Sequence, residues 1–213
     1  MYQYVLIGVL FSAIAINASP AGGKRPGADD LNVAQEARRL VHQANWASVA
    51  TISSDSANTG YPMVNLLSTA DSKVGADSSG EIYFYMMGVD KVARDVRKDN
   101  KISFMFTDAQ EGECNKRGDD PWSHKCARTL ITGQVKRLEE GTDEHARGLE
   151  AFLSRHPTAS HWPKIPVPDH DFYLCKLEVT DVMVFGQYGY RHATPAEYAA
   201  GTDAVNVANA IHA

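Results

Sequence analysis

A succession of short runs with apolar side chains on alternate residues limits the folds open to this chain more than any other feature. Trp46 to Ile52 alternates small and apolar residues, and Met63 to Ser68 follows a turn-rich stretch from Ser53 to Gly60. "EIYFYM" (81–86), "KISFMFT" (101–107) and "ARTLITGQVKRL" (127–138) come next, and "DFYLCKL" and "VTDVMVFG" meet near Glu178. Alternation of this kind places successive side chains on opposite faces of a strand. Most of the connections are too short for parallel crossovers, so the strands pair antiparallel. The tally is about six strands.

Helical periodicity is confined to shorter pieces. Val33, Ala37, Leu40, Val41 and Ala44 share one face, and Asn32 with Gln35 forms a capping-box pair, which predicts a helix over 32–44. "VDKVARDVRKDN" buries Val89, Val92, Ala93 and Val96 on one side. Thr142 caps a helix that runs to about Arg155, with Leu149, Phe152 and Leu153 inward, and Pro157 ends it. Six strands with helices at the periphery imply an α+β fold built on an antiparallel barrel.

The chain of 213 residues suits one domain, and 44% apolar residues are enough for its core. The net charge of −5, with acids and bases intermixed, argues against a nucleic-acid partner, which needs a basic face. No Gly-x-Ser-x-Gly, His-Glu-x-x-His or Walker-type loop is present.

Residues 1–18 carry no charge, and Val5 to Ile16 is almost wholly apolar. Ile16 and Ala18 suit the −3 and −1 positions of a signal-peptidase site, with cleavage between Ala18 and Ser19. The alternative is a membrane anchor, but the run is shorter than the roughly 20 residues a bilayer span needs. The expected product is secreted, extracellular or lysosomal, without a membrane span. Residues 19–31, rich in Gly, Pro and Ala, read as a flexible arm, 32–195 as the folded domain and 196–213 as a tail. The sequon Asn17-Ala18-Ser19 straddles the cleavage site, so cleavage there removes the N-glycan acceptor.

The ordered series "NWASVATIS", "YPMVNLLSTAD", "IYFYM", "ISFMF", a cysteine-bounded loop, "LITGQVKRL", "RHP" and "DFYLCKLEVTDVMV" resembles the CREG family over about residues 32–190. These are secreted cellular repressor glycoproteins related to pyridoxamine 5'-phosphate oxidase-like, FMN-binding split barrels. The resemblance implies a six-stranded antiparallel split β-barrel and a homodimer. It also implies growth- or differentiation-type regulation through a protein partner or receptor. In the wider superfamily flavin mononucleotide (FMN) occupies a cleft at the dimer interface, whereas in CREG-type members that cleft is altered and empty.

In flavin-binding relatives the strand matching "IYFYM" leads into Ser-x-Leu-x-x-His-x-x-Asn. Here Met87, Val92 and Asp95 stand at the serine, histidine and asparagine positions. Two polar groups become apolar and the third becomes an anion near the phosphate position, so no cofactor is expected. The opposing feature is Arg128, where flavin-binding relatives often place an arginine. With Lys91, Arg94 and Ser68 it is the cofactor-binding set of the alternative reading, a flavin-dependent oxidoreductase. The bland reading of Arg128 is a strand-start side chain facing solvent.

Three cysteines allow three pairings. Cys114 and Cys126 fall where the family carries a comparable insertion, and in an oxidising lumen they are the preferred disulfide pair. Cys175 reads as a buried free thiol. A zinc site from Cys114, His124, Cys126 and His145 lacks recognisable ligand spacing, and His124 is the first candidate ligand if the barrel instead binds haem. His156, His161 and His170 read as cap, loop or packing residues, and no catalytic residue is assigned.

Overall fold

A computed structural model describes residues 31–164, 171–187 and 189–201. The signal segment, its Ala18–Ser19 cleavage site, the N-terminal arm and His170 lie outside the described residues. Among those described, no helix is long and apolar enough to cross a membrane.

Seven strands form one antiparallel sheet: β1 (Trp46–Ile52), β2 (Pro62–Ala70), β3 (Tyr83–Met87), β4 (Lys101–Thr107), β5 (Arg128–Arg137), β6 (Phe172–Gly186) and β7 (Gly189–Ala193). Their order is β3-β2-β1-β4-β5-β6-β7, and β3 also pairs with β6. That pairing closes β1 to β6 into the expected six-stranded barrel and removes its sheet edges, leaving β7 as an added strand on β6. Interior positions alternate along β1, β4 and β5 and along the second half of β6. Val49, Phe84, Phe104, Ile131, Val182 and Val184 are all at most 1% exposed.

The two strand pieces expected on either side of Glu178 are one continuous strand. The register of β5 on β6 shifts between Thr132 and Gly133, which leaves Thr180 as an extra residue. A bulge locally breaks the alternation, which is why the sequence reads as two pieces. Gly133 is required opposite it, because a Cβ there would collide with the Glu178 carbonyl oxygen.

Helix α1 (Val33–Gln43) begins as expected: Gln35 N–H donates to Asn32 Oδ1 at 2.9 Å and Asn32 N–H to Gln35 Oε1 at 3.0 Å. Its apolar face, with Ala37, Leu40 and Val41, covers the barrel. Helix α2 (Lys91–Lys98) follows β3, the single turn α3 (Glu113–Lys116) lies in the cysteine loop, and α4 (Asp143–Arg155) carries its Thr142 cap. A 3-10 helix, Pro157–Lys164, continues from α4. Helix α5 (Pro195–Ala200) extends ordered structure into the span expected to be tail.

Candidate functional site

Antiparallel register places paired residues on the same face, so the outer surface of the sheet can be read row by row. One row runs Leu66, Ser48, Met105, Leu130, Met183 and His192 across β2, β1, β4, β5, β6 and β7. Leu66 is 59% exposed and neighbouring Val64 72%, while Met105, Leu130 and Met183 are half-buried. Ile52 at the end of β1 is also exposed. This apolar sheet surface is broader than scattered hydrophobic exposure requires.

The sequence-derived site residues lie on two ends of that barrel. Lys91 and Arg94 from α2 line a polar cleft of about 250 Å³ together with Ser53, Ser54, Asp55, Ser56 and Met63 of the β1–β2 hairpin. Lys91 Nζ stands 3.9 Å from the Asp55 carboxylate. Asp95 also borders the cleft, but its carboxylate is turned to structural use. It accepts the Thr51 hydroxyl at 2.8 Å, the Ser54 amide at 2.7 Å and the Ser54 hydroxyl at 2.9 Å. Burial pushes this carboxyl up, yet the Ser54 and Thr51 hydrogen bonds and the Arg94 charge hold it below the usual carboxylate range. Val92 is buried beneath the helix.

Arg128 sits at the opposite end. It pairs with Thr107, and the register of β1 on β4 directs Thr107 towards Trp46, away from Ile52 and the hairpin. A strand the length of β1 spans about 20 Å at 3.3 Å per residue, so Arg128 and the Lys91–Arg94 cleft are well separated within one chain. Ser68 pairs with Trp46 and shares Arg128's end, but strands β1 and β4 lie between them.

The disulfide loop engages Arg128 directly. Cys114 and Cys126 are bonded, as preferred from sequence, with Cα atoms 5.5 Å apart. Both sulfurs are thereby removed from the zinc reading with His124 and His145. The Arg128 guanidinium lies 4.1 Å from the Phe185 ring centroid and 5.2 Å from that of Trp122, and it donates to the Pro121 carbonyl at 3.4 Å. Phe185 in turn packs on Tyr190 at 4.8 Å. Sequence reading found Arg128 but not this stack, since its partners come from a loop tip and a distant strand.

Two buried polar clusters escaped the sequence reading. His42 Nδ1 and Arg155 Nη2 each lie 2.9 Å from the Asp71 carboxylate, joining α1 and α4 to the β2–β3 loop. Burial pushes the Asp71 carboxyl up, but His42 and Arg155 hold it below its ordinary value. Arg38, fully buried, donates to the carbonyls of Ser78, Ser79, Tyr198 and Ala199. His156 Nε2 donates to the Thr69 carbonyl at 3.0 Å and its ring packs at a tilt on Phe152, which is a packing role.

A family model described as "CREG, beta-barrel" matches residues 28–200. Protein CREG1 of Gallus gallus is 28% identical over 195 residues, covering 91% of this chain and 97% of that protein. Protein CREG1 of Homo sapiens is 30% identical over 168 residues, covering 78% and 73%. Among solved structures, a haem-binding protein from Mycobacterium smegmatis aligns with TM-score 0.59 at 21% identity, over 80% of this chain and 61% of that one. Atu2129 of Agrobacterium tumefaciens aligns with TM-score 0.59 at 23% identity, over 85% and 64%. The chain thus spans less than two thirds of either solved chain, and these likenesses concern the fold.

Proposed function

The chain belongs to the CREG family, and from that premise we propose that it is a secreted or endolysosomal, non-catalytic homodimer that acts by binding a protein partner. The observation that carries this reading is the apolar outer row from Leu66 to Met183, which suits burial against a second copy. Regulation of growth or differentiation is the process the family relationship favours.

Absence of flavin chemistry is supported by the fit of the residues. An FMN phosphate carries nearly two negative charges and needs several aimed donors. Met87 and Val92 offer none, Asp95 adds a carboxylate, and Arg128 is engaged by the Trp122 and Phe185 rings. The pairing of Lys91 and Arg94 in one cleft is the observation that keeps an FMN-dependent oxidoreductase as the second reading.

One purified preparation tests both. Sedimentation equilibrium is expected to give a dimer that Leu66→Glu converts to monomer with an unchanged far-ultraviolet spectrum. A monomeric wild type would sink the dimer reading. Titration with FMN is expected to leave the visible spectrum and melting temperature unchanged. A bound flavin band with a dose-dependent rise in melting temperature would favour the oxidoreductase, and a Soret band on adding haemin would favour haem binding. N-terminal sequencing of secreted material tests cleavage before Ser19, and a crosslinked pull-down seeks the partner.

A further inference from the structure

We propose that the Cys114–Cys126 bridge is a thiol-exchange site, opened by a dithiol reductant with Cys114 as the leaving thiolate, and that its opening releases Arg128 from the loop.

The two sulfurs are not equivalent. Arg117 Nη2 lies 3.7 Å from Cys114 Sγ. A guanidinium beside a sulfur favours its thiolate, and in exchange the better-stabilised thiolate is the better leaving group. Carboxylates stand nearby, but they are themselves paired. Asp119 accepts from Arg117 Nε at 3.2 Å, and Asp108 is held by Arg39 at 2.9 Å with Arg117 at 3.7 Å.

Both cysteines are buried, so exchange follows local opening of the loop. Most fastenings of that loop are at the surface: Arg117 to the Lys125 carbonyl at 3.2 Å, Arg117 to Asp119, and the Trp122 and Pro121 contacts to Arg128, while the longer Arg117 contact at 3.7 Å reaches the buried Asp108. Trp122 is 80% exposed despite its contact with Arg128. A segment held by exposed polar contacts opens far more often than the barrel unfolds. Cys175 stays apart, buried in the wall of the barrel core.

The chemistry balances with one dithiol. A reductant thiolate attacks Cys126 Sγ, the S–S bond breaks, and its electron pair departs on Cys114 Sγ beside Arg117. The reductant's second thiolate then displaces Cys126, leaving two protein thiols after protonation and one disulfide in the reductant. The loop between the cysteines, no longer closed, carries Trp122 off Arg128 and frees that guanidinium on the outer face.

Two measurements test this. In Cys126→Ser/Cys175→Ala, Cys114 is the remaining thiol, and its alkylation rate against pH gives its pKa. The expected value lies below about 8.5, the ordinary thiol value, and Arg117→Gln raises it by about one unit. Independently, the intact protein is equilibrated at pH 7 in dithiothreitol buffers of graded potential. The bridge is expected to open while the far-ultraviolet spectrum is retained, with an emission change that Trp122→Phe abolishes. A Cys114 thiol at or above the ordinary value and indifferent to Arg117, or a bridge that opens only as the barrel unfolds, would overturn the proposal. Should the double variant not fold, the redox titration decides alone.

Discussion

The Thr51 hydroxyl donates to the Asp95 carboxylate at 2.8 Å, fastening the first barrel strand to the helix that follows the third. With the two bonds from Ser54, that carboxylate organises the hairpin lip of the cleft. The residue that departs from the flavin-binding pattern thus has a structural task of its own.

Asp95→Ala is therefore expected to destabilise the protein by about 3 kcal/mol and Asp95→Asn by about 2 kcal/mol, since the buried Thr51 hydroxyl and the two Ser54 donors lose a charged acceptor. Urea unfolding of the purified variants measures both.

Acid sensitivity follows from Asp71 and Asp95, whose folded carboxyls both lie below their ordinary values. An unfolded carboxyl binds its proton at higher pH than the folded one, so stability rises with pH across that interval. The contribution is complete above an unfolded value of about 4 and is lost as pH falls through the lower folded values. Urea midpoints are expected to owe no change between pH 7 and 5 to these groups and to fall below pH 4. Asp71→Asn and Asp95→Asn should each flatten the fall.

Arg38 holds α5 to the β2–β3 loop through backbone carbonyls, and its guanidinium also lies over the Tyr198 ring at 5.8 Å. Arg38→Met is expected to cost about 3 kcal/mol, because it strands buried acceptors. Gly80→Ala should also destabilise: φ is +76° there, and the added Cβ meets the Arg38 guanidinium. Thermal unfolding of the two variants is the check.

Burial pushes the Cys175 thiol up to about 12, with Arg137 only partly opposing it. In the folded protein at pH 8 it is expected to resist iodoacetamide, and in urea to react at the rate of a free thiol. Peptide mapping after labelling distinguishes the two states.

The barrel was legible because alternation is imposed by burial of one strand face, and this chain keeps it in β1, β4 and β5 with few exceptions. The α1 capping box was equally readable, and so was the cap on α4. The strand β7 was missed because five residues, the first a glycine, give too little period to register. Helix α5 left a signal that went unread: Thr194, Pro195 and Glu197 form a capping box with proline at the first turn. The candidate site was legible only in part. Lys91 and Arg94 meet because one helix carries both, whereas the placing of Arg128 depends on the sheet register and the loop, which no local pattern encodes.

The fifteen-residue strand β6 pairs with β5, β3 and β7 and so completes the sheet. It lies late in the chain, and translation runs from the other end. Until residue 186 has cleared the ribosomal exit, the earlier strands must wait with both lateral borders unmet and open to stray pairing. A chaperone that shields nascent strands would have its longest engagement in this interval, and a premature stop before Phe172 would release a product that has no means of sealing itself.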